Sequence, residues 1–216
     1  MTGICLSVFP LDGSIPTLLN RIRSKEPDLV EYRLDYLTES STLETIAKSK
    51  VCPLIAADRS GRKQSGTFLL KAADVGFDFI DVDLSFPLAG SIIEQLKTHD
   101  IGVIVSYHDY LETPLEEKLV QLLLTEREMG GNICKIVTTA NQPADNLIIL
   151  RFISKCSPTT KIVSFAMGKL GMTSRVLSPF FGAEFTFASL DDESKTAEGQ
   201  MSIDDLRKTW KMLGIS

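Results

Sequence analysis

Lys135 sits inside the apolar run Ile133-Cys134-Lys135-Ile136-Val137. Lysine is almost never fully buried without a partner. An amine desolvated near other cations gives up its proton more readily and becomes a nucleophile able to attack a ketone and form a Schiff base. The plainer reading is a strand lysine snorkelling outward, which suits an exposed edge. The run before it ends in Ser106-Tyr107-His108-Asp109. His108 is one of only two histidines, and an imidazole at that place is suited to proton transfer near neutral pH, although a histidine there can also be purely structural. His99 precedes the same run and is expected on the surface at the opposite face.

Other charges gather at the ends of apolar runs. In Glu31-Tyr32-Arg33-Leu34-Asp35 the period of a strand puts Glu31, Arg33 and Asp35 on one side. Three charges facing inward are costly unless paired or in use, so a buried ion-pair cluster and a ligand site are both open. Asp81 and Asp83 share a face in Asp81-Val82-Asp83. Asp58-Arg59 leads into the basic loop Ser60-Gly61-Arg62-Lys63, where Arg59, nearest the run, is the stronger ligand candidate and Arg62 and Lys63 read equally as a solvated turn. Met167-Gly168-Lys169-Leu170-Gly171-Met172-Thr173-Ser174-Arg175 offers Arg175 as a bidentate clamp for a carboxylate, while the glycines also permit a phosphate cradle. The long polar segment from Ser189 to Gln200 is either a disordered loop or a lid that shuts water out.

The elements that must carry these residues alternate. Strands are predicted over Gly3–Val8, Leu29–Leu34, Val51–Ala57, Phe79–Leu84, Gly102–Ser106, Ile133–Thr138, Lys161–Ala166 and Glu184–Ala188. Helices are predicted over Ile15–Ser24, Leu43–Lys48, Phe68–Val75, Ile92–Lys97, Leu115–Glu128, Asn146–Ser154, Thr173–Leu177 and Ser202–Leu213. Leu115–Glu128 carries the clearest stripe, with Thr113 as expected cap and Pro114 as first helical residue. Ser202 is the expected cap of the last helix, with Asp204 and Asp205 in its first turn. Such alternation means α/β architecture with a parallel sheet. Eight units without a linker favour one compact (β/α)8 TIM barrel over 1–216, with few insertions, since barrels usually take about 250 residues. An open doubly wound sheet also alternates, but no GxGxxG follows the first strand.

Composition narrows the function. The 216 residues are 44% hydrophobic and carry a net charge of -5, which argues against a nucleic-acid partner. The N-terminal MTGICLSVFPLDGS reads as no signal peptide, and no apolar stretch nears the ~20 residues of a membrane span. Cys5, Cys52, Cys134 and Cys156 form no CxxC pair. With only two histidines a zinc set is a poor fit, and reduced thiols of a cytoplasmic protein fit better.

Taken in order, the motifs EYRLD, SYHD, CKIV, AMGKLGMTSR and TAEGQ resemble the type I 3-dehydroquinate dehydratase family, from the first strand to the last helix. The resemblance implies a cofactor-free hydro-lyase of the shikimate pathway, a (β/α)8 barrel, often a homodimer. Its reaction is syn elimination of water from 3-dehydroquinate through an imine. It implies Lys135 as Schiff-base lysine and His108 as general acid/base. Glu31, Arg33 and Arg59 then hold the hydroxyl side of the substrate, and Arg175, Thr196 and Gln200 its carboxylate end. Ser7, Asp81, Met167 and Phe187 line the pocket. Two places depart from the family pattern. Lys63 stands where members often carry an acid that orients the histidine, so Glu31 or Asp81 is expected to hold His108 instead. Thr196-Ala197-Glu198-Gly199-Gln200 lacks the lid proline, which leaves closure entropically harder. Another Schiff-base barrel such as a class I aldolase, and a ligand-binding barrel without catalysis, are the competing functions.

Overall fold

The computed structural model describes residues 3–10, 15–37, 39–62 and 64–215. The main elements follow in strict alternation: β1 (Gly3–Val8), α1 (Ile15–Lys25), β2 (Leu29–Arg33), α2 (Ser41–Lys48), β3 (Leu54–Ala57), α3 (Ser65–Asp74), β4 (Phe79–Asp83), α4 (Ala89–Leu96), β5 (Gly102–His108), α5 (Glu116–Glu128), β6 (Ile133–Thr139), α6 (Asp145–Cys156), β7 (Ile162–Met167), α7 (Met172–Leu177), β8 (Phe185–Ala188) and α8 (Ile203–Met212). Sheet order is β7-β6-β5-β4-β3-β2-β1-β8, and the paired strands run parallel. The last strand pairs with the first, as a barrel requires and an open doubly wound sheet does not. Between β8 and β7 the Glu184 amide donates to the Ile162 carbonyl at 2.9 Å. The result is a nearly closed (β/α)8 barrel. No helix among the described residues is long and apolar enough to cross a membrane.

Alternation along each strand makes two apolar shells. Inward residues Cys5, Ile55, Ile104, Ile133, Val163 and Phe185 fill the barrel toward the N-terminal strand ends. Outward residues such as Leu6, Tyr32 and Ile80 pack on helix stripes including Ile22, Ile46 and Ile92. Each fully buried Leu or Ile contributes roughly 1.5–3 kcal/mol. The polar inward positions are thereby left to the C-terminal mouth.

Several expected boundaries move for physical reasons. β2 stops at Arg33, and Leu34–Tyr36 form a turn of 3-10 helix. Asp35 therefore leaves the strand face it was expected to share with Glu31 and Arg33. It instead accepts from Arg33 Nε and Nη2 at 2.9 and 2.8 Å. β3 starts at Leu54 rather than Val51, because Pro53 has no amide to donate to a neighbour. α5 opens at Glu116 with Leu115 as its N-cap residue and no side-chain cap. The expected cap, Thr113, donates to the Thr139 carbonyl at 2.9 Å instead, tying the loop to β6. α8 begins as expected, with Ser202 Oγ accepting from the Asp205 amide at 3.2 Å.

Candidate active site

Lys135 faces inward from the middle of β6 and is 4% exposed. Its Nζ donates to Asp81 Oδ2 at 2.9 Å and to Glu31 Oε2 at 3.1 Å, and lies 4.3 Å from the centre of the Phe187 ring. The expected setting, an amine among other cations, is thus an amine between two carboxylates. The register explains why. Inward positions on β2 and β4 bring Glu31 and Asp81 to the same depth as Lys135, above the Ile55 and Ile104 layer.

Both carboxylates are tied further. Ser7 Oγ donates to Glu31 Oε1 at 2.8 Å. Arg59 Nη2 and Ser106 Oγ each donate to Asp81 at 2.5 Å. Burial opposes ionisation of Asp81, but the charges of Arg59 and Lys135 outweigh it and hold the carboxyl well below its ordinary range. Glu31 is lowered likewise, against burial, chiefly by Lys135. The Arg59 guanidinium, despite burial, is raised by the charges of Asp81 and Asp83. Asp81 is fully buried behind these partners and is not among the residues lining the cavity, which corrects its expected place.

His108 ends β5 on the same inward face. Its partner is neither Glu31 nor Asp81, as expected, but Asp83, whose Oδ2 lies 2.6 Å from Nδ1. Burial and the nearby Arg59 charge lower the imidazole to about 4. The ring is therefore neutral near pH 7. Asp83 is held at about 2, with the His108 hydrogen bond and Arg59 overcoming burial. Lys63, whose residue type prompted the question of this partner, lies outside the described residues. His99 sits apart, as expected, paired with Asp74 at 3.0 Å.

Arg175 occupies the centre of the short helix α7 and is 2% exposed. Its backbone carbonyl accepts from Thr186 Oγ1 at 2.7 Å, which fixes the helix to β8. The guanidinium stacks on Phe165 at 4.1 Å, yet Nε and Nη2 are buried without a hydrogen-bond partner. Burial alone lowers this group to about 10.

A cavity of about 170 Å³ joins these groups. Ser7, Glu31, Arg33, Arg59, His108, Lys135, Met167, Arg175, Phe187, Thr196 and Gln200 all line it, as expected. The segment 196–200 forms part of the cavity wall: Gln200 Oε1 accepts from the Thr196 amide and Oγ1 at 2.8 and 3.1 Å, and the Glu198 carbonyl accepts from the Gly168 amide at 3.3 Å. Gly199, at φ +74°, lies so near Gly168 that a Cβ there would collide with its carbonyl oxygen. Tyr110, stacked over His108 at 6.0 Å, also lines the cavity and went unnoticed in the sequence. Its position two residues beyond His108, in the loop leaving β5, was the available signal.

A mouth built this way suits the class of barrel enzymes that join a buried amine to the carbonyl of a small anionic substrate. Comparison with known proteins narrows the class. A type I 3-dehydroquinase family model matches residues 4–216. The 3-dehydroquinate dehydratase of Dehalococcoides mccartyi (strain 195) is 35% identical over 190 residues, 84% of this chain and 84% of its own. The Methanocaldococcus jannaschii enzyme of the same name is 33% identical over 201 residues, 87% of this chain and 88% of its own. Among solved structures, 3-dehydroquinate dehydratase from Geobacillus kaustophilus HTA426 matches with a TM-score of 0.90 over 99% of this chain and 91% of its own, a likeness of fold at 22% identity. The Enterococcus faecalis protein gives 0.81 at 26% identity over 98% of this chain and 93% of its own. The chain belongs to the type I 3-dehydroquinase family.

Proposed function

We propose that this chain converts 3-dehydroquinate to 3-dehydroshikimate as a type I dehydratase, with Lys135 as the imine-forming amine. The observation that carries the proposal is a primary amine, closed off from solvent, sharing one small cavity with a neutral imidazole and a buried guanidinium whose Nε and Nη2 have no hydrogen-bond partner among the described residues. The substrate carboxylate takes Nε and Nη2 of Arg175. Lys135 gives up a proton to the neutral His108 and attacks the ring ketone, and the imidazolium returns that proton to the carbinolamine hydroxyl. Loss of the former ketone oxygen as water leaves the imine. The protonated imine draws electrons from the adjacent carbon, and His108 removes the proton there. The resulting imidazolium protonates the departing hydroxyl, and water then hydrolyses the imine to release product and the free amine. Arg33, Arg59 and Glu31 are placed to meet the ring hydroxyls.

Cytoplasmic location and a homodimer are part of the same proposal. The location is supported by four free thiols, which suit a reducing compartment. The activity is tested by adding 3-dehydroquinate and following the ultraviolet absorbance of the conjugated enone. Absorbance should rise with the purified protein. A flat trace from folded protein at millimolar substrate would remove the assignment.

A further inference from the structure

We propose that Asp35 sets which way round the substrate binds, by occupying Arg33 bidentately so that this guanidinium serves ring hydroxyls and Arg175 remains the one seat for the carboxylate. The inference deepens the proposed function and rests on it for a substrate with a single carboxylate. Three arginines line the cavity, Arg33, Arg59 and Arg175, and the fork of each matches a carboxylate. Acids of the protein remove two of them from that competition. Arg59 Nη2 meets Asp81 at 2.5 Å. Arg33 donates from Nε and Nη2 to the two oxygens of Asp35 at 2.9 and 2.8 Å. Only Arg175 lacks an acidic partner among the described residues. A guanidinium already matched by an acid gains little from a second carboxylate, which meets the first as a like charge. It can still donate to a neutral oxygen.

The backbone is bent to make the Arg33 pair. In a strand that ran on, Asp35 would lie about 6.6 Å along from Arg33 on the same face and point a free carboxylate into the pocket. β2 stops at Arg33 instead, and the 3-10 turn Leu34–Tyr36 brings Asp35 back onto the guanidinium. The Leu34 carbonyl holds that turn, accepting from the Leu37 amide at 2.9 Å and from Arg62 Nη2 at 3.2 Å. Arg62, which reads in the chain as part of a solvated loop, is thereby a brace for the turn. The side chains of the pair are 18% and 11% exposed, so water screens them weakly. Arg33 lines the cavity and Asp35 does not, so the acid acts on the substrate only through the arginine. Nη1 of Arg33 has no acceptor among the described residues and is the nitrogen left for a hydroxyl.

Asp35→Asn keeps the shape of the side chain and removes its charge, which should turn Arg33 into a second carboxylate seat. Calorimetric titration with benzoate, phthalate, isophthalate and terephthalate reads the number of seats without needing turnover. The wild-type protein should hold each dicarboxylate about as tightly as benzoate. In Asp35→Asn at least one dicarboxylate should gain on the order of 10–100-fold over benzoate, as a new charged hydrogen-bonded pair gives. Asp35→Ser, made in parallel, should show the same gain, and Asp35→Asn/Arg33→Met should lose it. A wild-type protein that already prefers a dicarboxylate by that margin overturns the proposal with no variant at all. So does the absence of any gain in a folded Asp35 variant, or a gain that survives without Arg33. Turnover of 3-dehydroquinate by the same wild-type sample separates the two levels. Normal turnover with no gain in the variants removes only the role of Asp35, whereas the expected gain beside a wild type that does not turn over removes the activity and leaves the charge pairing in place.

Discussion

The two ends of the pocket are finished differently. On the side built by β2 to β6, the charges of Glu31, Arg59, Asp81, Asp83, His108 and Lys135 answer one another directly. On the side built by α7, Arg175 is equally buried, but two of its nitrogens have no partner. The first end is ion-paired before any ligand arrives, although Arg59 Nη1 has no partner among the described residues, and paired groups are what proton transfer needs: already oriented, with little reorganisation during reaction. The second is complete only when an anion arrives. A buried unpaired charge is costly to the free protein, and that cost is recovered on binding.

Substitutions should therefore act with opposite sign on the two ends. Arg175→Met is expected to lower kcat/KM on the order of 10²–10³-fold, from the ~2–5 kcal/mol carried by a buried charge pair with the substrate. The same change should leave the free protein as stable or more stable in a urea melt, because an uncompensated cation is gone. Asp81→Asn should do the reverse to stability. It strips Lys135 and Arg59 of a shared counterion and is expected to cost about 3–5 kcal/mol. Equal destabilisation by both variants would erase the distinction between the ends.

A third buried group sharpens the contrast. Glu126 on α5 is fully buried, with both carboxyl oxygens unpartnered and no opening to the pocket. Burial, aided by Asp81 and Asp83, raises it to about 10. Its folded value lies above the ordinary 4.5, so the folded state holds a proton that the unfolded chain sheds, and stability is lost as pH rises from about 4.5 toward 10. Glu126→Gln removes that slope. It should stabilise the protein by about 1–3 kcal/mol at pH 8, less at pH 5, with turnover unchanged. The smallest effect concerns pH. With His108 lowered to about 4, kcat should stay level from pH 7 to 5 and its acid limb should fall near 4. A limb near 6.5 would mean an imidazole no more perturbed than in water.

Much of this was legible in the chain. Short β-branched runs marked all eight strands to within a few residues; charges in or beyond those runs marked Glu31, Arg33, Arg59, His108, Lys135 and Arg175, whereas Ser7, Met167, Phe187, Thr196 and Gln200 came from the resemblance to the family. What failed was depth and pairing. Glu31, Asp81 and Asp83 are indistinguishable as acids on strand faces. Only the register between β4 and β5 sets Asp83 near His108, and only the hydrogen bonds to Arg59, Ser106 and Lys135 show Asp81 turned away from the cavity. The surroundings of Lys135 were misjudged for the same reason: its two carboxylate partners are 104 and 54 residues away along the chain. Loop positions such as Tyr110 carry no periodicity to betray which way they turn.

The most direct measurement is borohydride reduction of the protein in the presence of 3-dehydroquinate, followed by peptide mass mapping. The expected result is a covalent, inactivating adduct on the peptide that contains Lys135, absent from Lys135→Ala. An adduct mapped to another lysine, or undiminished turnover by Lys135→Ala, would contradict the buried amine as the group that takes hold of the ketone.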